Sequence, residues 1–418
     1  MKILLLGWIF TFTNSLLIYV IAILVARWFG AAAYGDYAVA VASITLFGTA
    51  ATLGLGRSSL NILRVYRERA EWNLYYGYIR FSLIFTIVSS ILLILTLIEG
   101  FGIYDKYFRS MEHNVSRIHV YFIPLAAVVY FLYQVLIASK RFIFAITILR
   151  IQFPIVVFIL LFVFQKLIPD ITVKYAVIAY GLSWVLCIIS LIAVFTITHT
   201  RRIYTTNVQY KARYWLSLAY PFFMNAIVLL ALPYIALIIL ELLHYAESAT
   251  GFFAAVLRTA AFVLILSRLS DRYYLPEVSS AYHRRDWEEM NRILLSRFRM
   301  LVGLCTLYLI IMFAFGKYLL GLFGEGFEDQ YFILIVFTIG IILGIFGGIS
   351  NNIMQVLGNK NLAFNLSFLM LVLTIAIGFV LIPPLGVEGA VITLIVSTLF
   401  VNIIEVMYLW RVHGVKVI

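Results

Sequence analysis

The stretch FIFAITILRIQFPIVVFILLFVF, residues 142–164, carries a single charge, Arg150. An α-helix rises 1.5 Å per residue, so about 20 apolar residues cross the ~30 Å of hydrocarbon in a bilayer, and this stretch is long enough. Arg150 falls near its middle. A guanidinium at that depth costs at least ~2.5 kcal/mol on insertion scales, which places it against a water-filled cavity and marks the path of an ion or substrate. A second stretch, 249–266, repeats the pattern around Arg258. Buried cations imply an anionic ligand.

Outward from these two, apolar runs of similar length cover 3–27, 37–60, 76–98, 119–139, 175–197, 215–240, 300–315, 332–357, 363–382 and 387–409, twelve in all. A hydrophobic content of 64% and a mean hydropathy of +1.04 over 418 residues place the chain among all-α polytopic membrane proteins. The first run follows Lys2 directly and lacks a small-residue cleavage site, so it reads as a retained helix and not as a signal peptide. With both termini in the cytoplasm, 22 of the 31 Lys and Arg fall on the cytoplasmic side and seven outside, the asymmetry expected of an even number of spans. The net charge of +12 is spread over short loops beside spans, where anionic headgroups account for it and nucleic acid is not called for. In the longest cytoplasmic segment, 268–299, the part from His283 to Arg299 is amphipathic and is expected to lie on the membrane surface. Cys187 and Cys305 sit in separate spans without metal-ligand company and read as core packing.

Catalytic signals are absent. There is no phosphate-cradling glycine loop, no His-Glu-x-x-His and no Gly-x-Ser-x-Gly, so the chain is not expected to be an enzyme or to hold a cofactor or metal. The largest external loop, 99–117, is under twenty residues, carries no suggestive pair of carboxylates and contains an isolated Asn114-Val115-Ser116 sequon. A membrane glycan polymerase, which needs an external platform for its acceptor, is therefore the weaker reading.

Two halves run in parallel. Gly35-Asp36-Tyr37-Ala38 follows the first span and Gly251-Phe252-Phe253-Ala254 follows the seventh, while Asn14 of span one has a counterpart in Asn225 of span seven. This divides the chain into a six-helix lobe at 1–200, a cytoplasmic linker at 201–214 and a second six-helix lobe at 215–418, the plan of a rocking transporter with its site between the lobes. Arg150 lies ~12 Å from the cytoplasmic start of its span and Arg258 ~13 Å from the external start of its own. Guanidinium groups at the midplane can hold phosphate through bidentate, charge-assisted hydrogen bonds. Arg150, Arg258, Arg57, Asn14 and Asn225 are the expected substrate-binding residues. Glu405 is the only carboxylate well inside an expected span and is the candidate for ion coupling. Scarcity of membrane acids argues against a multidrug exporter, whose cationic cargo needs them.

The run Ala26-Arg27-Trp28-Phe29-Gly30-Ala31-Ala32-Ala33-Tyr34-Gly35-Asp36-Tyr37-Ala38, followed by Leu53-Gly54-Leu55-Gly56, resembles the opening of bacterial polysaccharide exporters of the Wzx type. Leu275-Pro276-Glu277-Val278-Ser279-Ser280-Ala281-Tyr282, Leu357-Gly358-Asn359-Lys360 and Ile382-Pro383-Pro384-Leu385-Gly386-Val387-Glu388-Gly389-Ala390 extend the resemblance over nearly the whole chain. It implies a V-shaped bundle of twelve helices like that of the multidrug and toxin extrusion transporters. Such a bundle sits in the cytoplasmic (inner) membrane of a bacterium and moves undecaprenyl-pyrophosphate-linked glycan to the outer leaflet for surface polysaccharide synthesis. It further implies a cationic cavity that Arg150 and Arg258 fit, a proton or sodium gradient as driving force, and membrane lipids and polysaccharide polymerase machinery as partners. Lipid II flippases of that superfamily carry two further helices, for which this chain has no room.

Overall fold

The computed structural model describes residues 2–97, 118–203, 208–243 and 248–417. The external loop 99–117 with its sequon and residues 204–207 of the linker lie outside these. Among the described residues every regular element is helical, and ten helices are long and apolar enough to cross a membrane. The chain is a multi-pass membrane protein.

Ten and twelve are reconciled at two glycines. Helix α1 runs Lys2–Ala51 and the last helix, α14, runs Lys360–His413, each about twice the length of a span. Inside α1, Gly30 takes φ 83° and ψ 176°, and inside α14, Gly386 takes φ 55° and ψ −122°. Both values lie in the left-handed half of the map, which glycine enters without the Cβ penalty. Each glycine splits its helix into two membrane-length segments, so connections expected as loops shrink to one residue apiece. In α14 the break follows Pro383-Pro384, whose missing N–H groups end the regular ladder.

The first half supplies α2 (Leu55–Glu68), α3 (Trp72–Leu95), α4 (Ile123–Ala138), α5 (Phe142–Thr147), a π turn at Ile148–Gln152, α6 (Phe153–Leu167) and α7 (Val173–Ile203). The second supplies α8 (Ala212–Leu242), α9 (Ala249–Ala260), α10 (Val263–His283), α11 (Trp287–Gly321), α12 (Tyr331–Gly347) and α13 (Ser350–Val356) before α14. They form two compact units, Met1–Val25 with Asp36–Leu230, and Ala26–Gly35 with Ala231–Ile418.

Within the first unit, the start of α8 is tied to α2 and α3. Trp215 is fully buried, donates its indole N–H to the Tyr66 hydroxyl at 2.9 Å and packs edge-on against Tyr78 at 5.3 Å. Within the second, α1 and α9 cross in direct backbone contact. A Cβ on Gly251 would fall 1.9 Å from the Ala31 carbonyl oxygen, and one on Gly35 would fall 2.9 Å from the Gly251 nitrogen.

Two expectations change here. The second span ends at Ala51, and the residues from Leu55 onward form the separate helix α2 behind the turn at Thr52–Gly54. The segment expected on the membrane surface, His283–Arg299, instead turns out of α10 at its first residues and from Trp287 is the beginning of α11, which continues without a break to Gly321. A helix with one axis cannot lie in the interface and also cross the bilayer. Its apolar stripe, Met290 and Leu294, is buried against Val278, Ala281 and Ile353 rather than against lipid headgroups.

Candidate functional site

Arg150 occupies the π turn that separates α5 from α6. Pro154 explains the turn. Its nitrogen carries no hydrogen and cannot bond the carbonyl of residue 150, four positions earlier, so the ladder widens by one residue there. Flanking side chains fix the turn on α7: the Gln152 amide donates to the Ser190 hydroxyl at 2.8 Å, and the Phe153 ring lies 4.1 Å from that of Trp184. Arg150 itself stays half-buried.

Arg258 likewise stands at an interruption. Helix α9 ends two residues later, and the amides of Leu264 and Ile265 bond the carbonyls of Ala261 and Phe262, three residues back instead of four. The Thr259 carbonyl accepts from the Tyr308 hydroxyl at 3.0 Å, which satisfies an acceptor beside the break. The buried Tyr34 hydroxyl faces the Arg258 guanidinium without closing a hydrogen bond of strict geometry, and Tyr234 lies within the same electrostatic reach. Two phenols around one guanidinium make a polar site in an otherwise apolar helix.

The remaining expected residues divide between the units. Arg57 is exposed in the first turn of α2, Asn14 is buried in the first segment of α1 and Asn225 is half-buried in α8, all in the unit that holds Arg150. Among the described residues no hydrogen bond joins any of these four to another. Arg258 and Glu405 belong to the other unit and have separate surroundings. Glu405 is buried and accepts from the Asn351 amide at 2.7 Å; that same amide reaches the Ser367 hydroxyl at 3.1 Å, and Gln355 donates to the Asn351 carbonyl oxygen at 2.9 Å.

A partly buried carboxylate escaped the reading of the sequence. Helix α10 carries on past the expected end of its span, so Asp271 is part of a membrane-length helix and binds the fully buried Arg297 of α11 at 2.9 Å. Asn352 approaches the other oxygen of Asp271 at 3.5 Å. The pair is spaced 26 residues apart in sequence, and hydropathy reads both members as loop charges. Among the described residues no cluster of His, Cys, Asp and Glu could hold a metal ion.

This fold has solved counterparts. A multidrug resistance MATE family transporter of the MOP superfamily, in an inward-facing conformation, superposes with a TM-score of 0.79 over 94% of this chain and 93% of that one, at 13% identity. Lipid II flippase MurJ in its inward closed conformation superposes with a TM-score of 0.74 over 97% and 87%, at 16% identity. The outward-facing conformation of a MATE transporter gives 0.63 over 96% and 92%, also at 16%. At these identities the likeness establishes the fold. No protein-family model and no curated protein matches the sequence.

Proposed function

We infer that this protein is a flippase that moves undecaprenyl-pyrophosphate-linked oligosaccharide from the inner to the outer leaflet of a bacterial cytoplasmic membrane by alternating access, for surface polysaccharide synthesis. The observation that carries this reading is the setting of two arginines. Arg150 and Arg258 each sit inside a membrane-length apolar helix, at a place where that helix departs from regular hydrogen bonding. Such departures are costly in hydrocarbon and are retained at functional sites. A guanidinium there replaces water around a doubly charged pyrophosphate, which a neutral or cationic cargo would not require. The polyprenyl chain stays in lipid while the headgroup crosses. Arg57, exposed at the start of α2, meets the headgroup first, and Asn14 and Asn225 supply hydrogen bonds to the glycan. Glu405 couples transport to a proton or sodium gradient, and polymerase machinery takes up the product.

A multidrug exporter of the same fold is the second reading, favoured by one observation: the Glu405 carboxylate is buried with only uncharged partners, as a site for a cationic drug would need. Deleting the gene separates the two. Completed lipid-linked units should accumulate on the cytoplasmic leaflet, with loss of surface polysaccharide, and wild type but neither Arg150→Ala nor Arg258→Ala should restore export. Heightened sensitivity to cationic drugs with unchanged lipid-linked pools would establish the exporter instead.

A further inference from the structure

A cavity of about 500 Å³ opens in the second unit beside the break in α1. Its charged lining is Arg27 from α1 with Glu325 and Glu328 from the segment between α11 and α12; Gly30, Gly324 and Phe327 complete the wall. That volume falls within the ~300–1,000 Å³ of small-ligand sites. Both glycines leave the space open, since a Cβ on either would meet nothing within 4 Å. Arg27 forms no ion pair with either carboxylate, although all three line one cavity. Opposite charges that share a cavity and do not close on each other remain available to a third group.

The chemistry of the lining selects that group. Two carboxylates repel a phosphate, and a guanidinium beside them repels a metal ion. A neutral polyol satisfies both signs: its hydroxyls donate to the carboxylates and accept from the guanidinium, and both kinds of bond are charge-assisted. Phe327, almost fully buried, lies beneath this lining. Its position connects the cavity to Arg258, because Phe327 packs 6.3 Å from Tyr34, whose hydroxyl faces that guanidinium.

We propose that the Arg27, Glu325 and Glu328 cavity is a binding subsite for neutral sugar residues, connected to the guanidinium of Arg258 through the rings of Phe327 and Tyr34. The subsite rests on the flippase reading for its purpose, since it gives the glycan of a lipid-linked cargo a place beside its pyrophosphate.

Saturation-transfer NMR on the full chain in lipid nanodiscs tests it, with glucose, galactose, rhamnose and N-acetylglucosamine as probes. At least one sugar should receive saturation from the wild-type protein. The signal should be lost in Glu325→Ala/Glu328→Ala and in Arg27→Gln. Both sets of substitutions fall on side chains at the cavity surface, and the thermal melt of each variant confirms that it is folded. No signal from any sugar, or a signal unchanged in the cavity variants, overturns the proposal. So does binding of calcium or inorganic phosphate abolished by the same variants in place of sugar binding. A sugar signal in a protein whose deletion leaves lipid-linked pools unchanged would sink the flippase reading and leave the subsite standing.

Discussion

A single ion pair shows how the protein interior handles charge at the scale of one residue. Arg297 is fully buried, its Nη2 donates to Asp271 and its Nε finds no hydrogen-bond partner. Removing one member of a buried pair strands the other in low dielectric, a loss of about 3–5 kcal/mol; replacing both by apolar residues of similar volume is near neutral or stabilising. Asp271 keeps about a fifth of its surface, with side-chain exposure of 21%, which pulls the expectation to the lower end. Arg297→Ala should therefore cost about 3 kcal/mol, while Arg297→Met/Asp271→Leu should melt close to wild type. Thermal unfolding of the detergent-purified protein checks both. Equal destabilisation by the single and the double substitution would show that the pair is not a unit. The sequence conceals this arrangement for a physical reason: hydropathy sums residues one by one, and a pairing 26 positions apart cancels charge only after α10 and α11 have packed. Arg150 and Arg258 are legible by the same summation because each is a lone charge in an apolar run.

At the scale of the element, the π turn at Arg150 follows from one proline. Pro154→Ala restores an N–H able to bond the carbonyl four residues back, so the turn should relax into a regular helix and α5 should run directly into α6. One residue of slip turns Arg150 by about 100° around the helix axis, with 3.6 residues per turn. On the flippase reading a displaced guanidinium should cut export on the order of tenfold or more, since misplacements near 1 Å already cost up to ~100-fold in positioned chemistry. The melt should hold or rise, because the substitution adds a backbone hydrogen bond. Surface polysaccharide measured alongside thermal unfolding separates the effects, and full export in a stable Pro154→Ala protein would show that the turn has no part in transport. The proline is visible in the sequence, yet whether it kinks, ends or widens a helix depends on what anchors the next turn, here Gln152 on Ser190 and Phe153 on Trp184. The amphipathic start of α11 misleads in the complementary way. Its apolar stripe is real, and a helix from the same chain covers it instead of the bilayer.

For the whole molecule, two glycines of the quoted motifs meet in one contact. Gly35 and Gly251 face each other at the crossing of α1 and α9, where neither position has room for a side chain. The length of the connections was not legible, because Gly30 and Gly386 let one helix enter the next with a single left-handed residue where hydropathy suggests a loop. Each of those glycines still divides its helix, so the described residues hold twelve membrane-length segments, an even number that predicts both ends of the chain on one side. The distribution of Lys and Arg predicts the cytoplasm for that side. Alkaline phosphatase fused after Gly324, between α11 and α12, should accordingly be active, and phosphatase fused after Arg285 or Val417 should be inactive. A fluorescent protein that folds only in the cytoplasm should give the reverse pattern at the same three sites. Activity after Val417 together with activity after Gly324 would require an odd number of crossings and would undo the twelve-segment topology. Inversion of all three would keep the twelve segments and turn the molecule over. The Arg27 cavity would then open toward the cytoplasm, on the face where cargo enters, and sugar recognition would become a step of loading in place of release.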